Sequence, residues 1–183
     1  MNFVILDNNR FYAEGLRYAL LRRNAHTQVE SGALQWHRSL LACDTLVMRC
    51  RFSVARTHLA LVDILLQLEA RRWEGTVYLV CNEKGWALAT HLRKRFATLT
   101  LHIIDDRIAV VDAAYLLAKE PRRVRSLNCC LTGMEFNVLD RLVNGQSVKH
   151  VAQMTQISEK QVSTYKCNAL KKLNANNLLQ LLL

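Results

Sequence analysis

The sequence predicts an α/β domain built on a parallel sheet, followed by an all-α domain of four short helices. Three observations predict it. Apolar runs of strand length alternate with helical periodicity through the first two thirds of the chain, the pattern of βα units. The only proline, Pro121, sits in a polar and basic stretch over 120–126, and a helix entering it must end there. Beyond it, Thr132-Gly133-Met134-Glu135 and Ser158-Glu159-Lys160-Gln161 are two S/T-x-x-E/Q boxes, each of which satisfies free N–H groups at a helix start. The domains are placed at 1–119 and 130–183, with a linker at 120–129.

Phe3-Val4-Ile5-Leu6 is a continuous apolar run closed by Asp7-Asn8-Asn9, a buried strand entering a polar loop. Phe11 to Leu21 has helical spacing, with Leu16, Leu20 and Leu21 on one side. Leu46-Val47-Met48 is a second buried strand, and His58 to Leu68 an apolar helix packed on the sheet. Thr76 to Cys81 is the clearest strand. Gly85 to Phe96 follows as a helix with a basic end, Leu99 to Ile104 is another strand, and Ile108 to Lys119 closes the domain as a helix. In the C-terminal part, Gly145-Gln146-Ser147 is a stop and restart between helices. The helix opened by Ser158 then begins at a tight turn after its predecessor. That spacing displays one helix to the DNA major groove.

Charge points the same way. The chain carries a formal +10, unevenly spread. Residues 121–183 hold nine Lys and Arg against three Asp and Glu, whereas residues 1–120 hold sixteen against twelve. A basic excess concentrated in 63 residues suits a polyanion. None of the six cysteines forms a C-x-x-C pair, so no metal site and no cofactor are expected. Met1 to Leu6 is too short for a signal-peptide core, and no run reaches membrane-spanning length. The expected location is the cytoplasm, with thiols reduced. No Gly-rich phosphate loop or nucleophile motif is present, so an enzyme is not expected.

The displayed helix can be read on a wheel of about 100° per residue. Val162, Tyr165, Ala169 and Leu173 fall on one side, which must be the core face. Lys160, Thr164, Cys167 and Lys171 fall opposite, with Ser163 on the edge. Small polar groups there can approach base edges, and lysines suit guanine edges or phosphates. These five are the base-contact candidates. Thr132, Lys149, Lys166 and Lys172 are assigned to phosphates.

Residues 131–173 resemble the LuxR/NarL-type helix-turn-helix family. Leu131-Thr132, Glu135, Val138-Leu139, Gly145, Ser147, Lys149, Val151-Ala152, Ile157-Ser158, Val162 and Lys172-Leu173 carry the resemblance. Met134, His150, Thr155, Gln161 and Tyr165 depart from it. The resemblance implies base contacts at Ser163, Thr164 and Cys167. It also implies a dimer contact in the fourth helix, with Leu178, Leu179 and Leu182 as candidates.

Asp7-Asn8-Asn9-Arg10-Phe11-Tyr12-Ala13-Glu14-Gly15-Leu16 resembles the start of a response-regulator receiver domain. In that family two acidic residues after the first strand hold Mg²⁺, and an Asp ending the third strand accepts the phosphoryl group. Here the pair is Asp7 and Asn8, and the acceptor position falls on Arg49. The family's Ser/Thr after the fourth strand falls near Cys81 or Asn82, and its Lys near Asp105. A cation at Arg49 repels Mg²⁺ and cannot accept phosphate. The resemblance is thus to a degenerate, non-phosphorylatable receiver. With Val162-Ser163-Thr164-Tyr165-Lys166, the chain is similar to RcsA-like auxiliary regulators. That implies double-stranded DNA as target, bound as a homodimer or as a heterodimer with an RcsB-like response regulator. The alternative is an interaction module that sequesters another regulator without reading DNA.

Overall fold

The computed structural model describes residues 2–7, 9–23, 28–50, 57–118 and 130–182. The expected linker at 120–129 lies outside these residues, as does Asn8. Five parallel strands form one sheet: β1 (Asn2–Leu6), β2 (Gln28–Gly32), β3 (Thr45–Arg49), β4 (Thr76–Cys81) and β5 (Thr100–Asp105), in the order β2-β1-β3-β4-β5. Helices α1 (Arg10–Arg23), α2 (Thr57–Ala70) and α3 (Glu83–Arg95) connect strands, a 3-10 turn at Arg38–Ala42 precedes β3, and α4 (Val110–Ala118) follows β5. Helices α5 (Gly133–Val143), α6 (Val148–Thr155), α7 (Glu159–Lys172) and α8 (Leu179–Leu182) complete the chain.

Alternation along buried strands puts every second residue on opposite faces. Phe3, Ile5, Val47, Tyr78, Val80 and Ile104 meet Ala13, Leu16 and Leu20 of α1 and Ala113, Ala114 and Leu117 of α4. Val4, Leu6, Leu46, Met48, Val77, Leu79 and Ile103 meet α2 and α3 on the other face. The second core does not stop at the sheet domain. Phe136 and Leu139 of α5, and Ala169 and Leu170 of α7, belong to it. His91 of α3 seals the seam: its ring stacks on Phe136 at 4.6 Å between centroids, and its Nδ1 hydrogen-bonds the Leu131 carbonyl at 3.0 Å. His58 of α2, fully buried, bonds Asp140 of α5 at 3.0 Å. The helical part is therefore docked on the α2–α3 side.

Every strand and helix expected in the α/β part is present, with ends shifted by a residue or two. The sequence reading missed β2. Gln-Val-Glu-Ser-Gly has one apolar residue in five, because β2 is an edge strand with a single neighbour, β1. Strand order reverses direction between β1 and β3, so their carboxyl ends open a crevice at the switch point. Asp7 and Arg49 stand at that crevice.

Candidate nucleic-acid interface

Both expected capping boxes are formed. Thr132 Oγ1 accepts the Glu135 N–H at 3.2 Å, and Glu135 Oε2 accepts the Thr132 N–H at 2.7 Å. Ser158 and Gln161 repeat the exchange at 3.2 and 2.9 Å. Between them Ser147 caps α6 by accepting the His150 N–H at 3.2 Å; His150 at the third position gives no reciprocal bond. Gly145 adopts φ +82°, the left-handed turn that ends α5. Gln156 takes the same region at φ 56° and ψ 36°, so α6 stops and α7 starts three residues later. That turn is held from below by Ile157 N–H to Ala152 O at 3.1 Å. Val138, Leu142, Val151, Ala152 and Val162 form the small core that fixes the two helices against each other.

The wheel of α7 is realised. Val162, Ala169 and Leu173 are buried and Tyr165 is half-buried. Lys160, Thr164, Cys167 and Lys171 are exposed, and Ser163 is half-buried at the edge. The structure also exposes Asn168 beside Thr164. Asn168 escaped the sequence reading because it falls just outside the arc opposite Val162. Thr164 turns its hydroxyl back to the Lys160 carbonyl at 3.0 Å. At the start of α6, Lys149 and His150 are exposed on the same domain. Thr132 is exposed, but its oxygen is committed to the cap.

Lys172, expected at a phosphate, is paired within the domain. Its ammonium lies 2.7 Å from Glu135 Oε2 and 3.0 Å from the Cys130 carbonyl, tying the end of α7 to the start of α5. Burial alone pushes the Glu135 carboxyl up, but the bonds from Lys172 and Thr132 outweigh it and hold the group below its ordinary value. A carboxylate depressed in the folded state stabilises fully above its unfolded value, and that stability is lost as pH falls through the lower folded value. Glu135→Ala should therefore cost about 2–4 kcal/mol at neutral pH. Urea midpoints of wild type, followed from pH 7 to pH 3, should fall in acid more steeply than those of Glu135→Gln. Parallel pH profiles would refute the role given to this pair.

Of the dimer candidates, Leu178 is half-buried and packs on the domain's own core, whereas Leu179 is exposed. Leu182 lies in α8, in which Leu181 is buried.

The receiver-like crevice is filled by protein. Arg49 Nε donates to Asp7 Oδ2 at 2.7 Å, and Nη1 donates to Asp106 Oδ2 at 3.2 Å. The guanidinium carbon lies 4.7 Å from the centre of the Tyr12 ring. Asp7 is buried, and its second oxygen accepts the Asn9 N–H at 2.9 Å. Asp106, one residue past β5, was not anticipated; the Asp105-Asp106 doublet after an apolar run was the available signal. Asp105 instead pairs with Arg107 at 2.7 Å on the outside. Asn82 caps α3 by accepting the Gly85 N–H at 2.9 Å. A Cβ on Gly85 would lie 2.2 Å from the Cys50 carbonyl oxygen, so only glycine lets α3 start this close to the end of β3. Cys81 beside it is buried, and burial pushes its thiol up to about 12, which keeps it protonated and unreactive.

Comparison with known proteins adds to this geometry. Residues 130–183 match the luxR family of bacterial regulatory proteins. Over 48 residues the chain is 48% identical to a Pseudomonas aeruginosa protein named as a transcriptional regulator. That match covers 26% of this chain and 23% of the relative, so the chain spans under a quarter of the relative's length in the match. Among solved structures, two RcsB dimers bound to two parallel DNAs give a TM-score of 0.57 at 17% identity, over 100% of this chain and 96% of that one. A complex of the two-component response regulator RcsB with DNA gives 0.56 at 18% identity, over 100% and 98%. At such identities the likeness establishes the fold, a receiver-like α/β domain followed by a helical one. The helical domain of this chain, over residues 130–183, is thus similar to the luxR family of bacterial regulatory proteins.

Proposed function

We propose that this chain is a sequence-specific DNA-binding transcription regulator that reads the major groove with α7 and takes no input from aspartyl phosphate. The carrying observation is the outward face of α7. Lys160, Thr164, Cys167 and Lys171 stay exposed while the other side of the same domain is docked on α2 and α3. A reader whose recognition face is open in the full chain needs no release step before it meets DNA. Arg49 supports the second half of the reading. Its guanidinium stands at the end of β3, the position to which the resemblance assigns an acceptor carboxylate, and pairs with both Asp7 and Asp106. Regulation then falls to abundance and partner choice, with the chain acting as a homodimer or as a heterodimer with an RcsB-like response regulator.

Four lysines remain for DNA once Lys172 is committed to Glu135: Lys149, Lys160, Lys166 and Lys171. Each phosphate neutralised contributes about 0.9 to the slope of log K against log salt, so a protomer using all four should show a slope of about −3.6. Genome-wide mapping of binding sites, followed by anisotropy titrations of one mapped promoter across a salt series, tests this. A flat salt response would remove the DNA-reading function altogether.

A further inference from the structure

Four strongly exposed large apolar side chains share one side of the sheet domain. Phe11 (94% exposed) and Tyr18 (63%) lie on α1, and Val111 (61%) and Tyr115 (40%) on α4. Phe11 and Tyr18 are seven residues apart, and Val111 and Tyr115 four, so each pair shares one side of its helix. That side is opposite the one buried on the sheet. The helices adjoin: a Cβ on Gly15 would lie 3.8 Å from Val110 Cγ1, and the Arg23 guanidinium carbon is 4.8 Å from the centre of the Tyr115 ring. The helix-turn-helix domain packs on the other face of the sheet, so this two-helix surface is turned away from it. A nearly fully exposed phenylalanine at the start of α1 does nothing for the fold. Clustered with two tyrosines and a valine it marks an interaction surface.

The rim says what fits. Helix α1 carries Arg10, Arg17, Arg22 and Arg23 against the single acid Glu14, which is paired with Arg17 at 2.8 Å, and α4 adds one exposed acid, Asp112, so the rim sets four arginines against two acids and stays basic. Arg22 and Arg23 lie over the rings of Tyr18 and Tyr115. A second copy docked through the same face would set arginines against arginines in a chain of net +10, an arrangement that like-charge repulsion disfavours. A nucleic-acid backbone would satisfy the arginines and leave Phe11 and Val111 against hydrated phosphates. We propose that the α1–α4 face docks a different protein, one presenting an apolar centre ringed by acidic side chains. The proposal rests on the partner-dependent reading above and gives that reading a surface.

The test uses the full chain and a purified RcsB-type response regulator from the same cell as the labelled probe. Wild type should bind it with an affinity that falls as salt rises. Phe11→Glu with Tyr18→Glu should weaken binding by about 100-fold, since aromatic and arginine anchors dominate such faces. Arg22→Glu with Arg23→Glu should weaken it by at least about 10-fold and flatten the salt dependence. Thermal melts establish that both variants fold; if the first does not, the second carries the test alone. Self-association in sedimentation velocity and promoter binding without the regulator should be unchanged in both. If wild type binds the regulator and the variants bind equally well, the surface is wrong and the partner reading stands. If wild type does not bind it, both fall. Loss of self-association in the variants would assign the face to a second copy. Loss of promoter binding in the arginine variant would assign it to nucleic acid.

Discussion

Replacing Lys160, Thr164 and Lys171 with alanine together should abolish specific promoter binding and leave the fold intact. All three are exposed on α7 and none contributes to the core around Val162. Alanine is the strongest helix former, so the substitutions do not weaken α7. Each base-edge contact is worth about 1–3 kcal/mol of discrimination. Losing three should cost at least about 3 kcal/mol, or more than a hundred-fold in affinity. The melting temperature should stay within about 2 °C of wild type, the usual outcome of surface changes away from caps and packing. Fluorescence anisotropy on a mapped promoter and a reporter fusion measure the two consequences. A variant that no longer binds DNA yet keeps full regulatory output would show that the chain works by holding another regulator, and DNA reading would be excluded as its mechanism.

The face tested there was legible because helical periodicity is local. A wheel needs only the position of Val162 and about 100° per residue, and the cap that sets the start of α7 is written within Ser158–Gln161. Strand β2 was not legible. Its partner β1 lies 26 residues earlier, as in Asn2↔Gln28, and an edge strand carries little of the apolar signal that betrays a buried one. The pairing of Lys172 was illegible for a related reason. On a wheel it is one more base on a basic helix, whereas its neighbours in space, Cys130 and Glu135, come from the start of α5. Docking on α2 and α3 was equally invisible. Phe136 and Leu139 are apolar residues in an amphipathic helix, and nothing local says that their cover is His91 and the far side of a sheet. Arg49 was found at the end of β3, but its second partner, Asp106, is 57 residues away and required the parallel order of the sheet to bring β1, β3 and β5 ends together.

Arg49→Ala should be among the most damaging single substitutions in the sheet domain, and its loss should be recoverable by a metal ion. Removing the guanidinium leaves Asp7, which is buried, and Asp106, which is mostly buried, facing one crevice without their shared cation. Breaking such a pair from one side costs about 3–5 kcal/mol when it is fully buried. The residual exposure of Arg49 and Asp106 brings the expectation down to about 2–4 kcal/mol. Lysine cannot serve both acids, because one ammonium lacks the planar fork that spans them, so Arg49→Lys should recover only part of the loss. Two carboxylates freed at the switch point are hard oxygen ligands of the type that hold Mg²⁺ or Ca²⁺. Millimolar Mg²⁺ should therefore raise the melting temperature of Arg49→Ala above its value in EDTA, while wild type, with an internal cation in place, should not respond. A cation response equal in the two proteins would mean that Arg49 does not stand in for the metal. In that event the proposal that the chain takes no input from aspartyl phosphate would lose the support of Arg49.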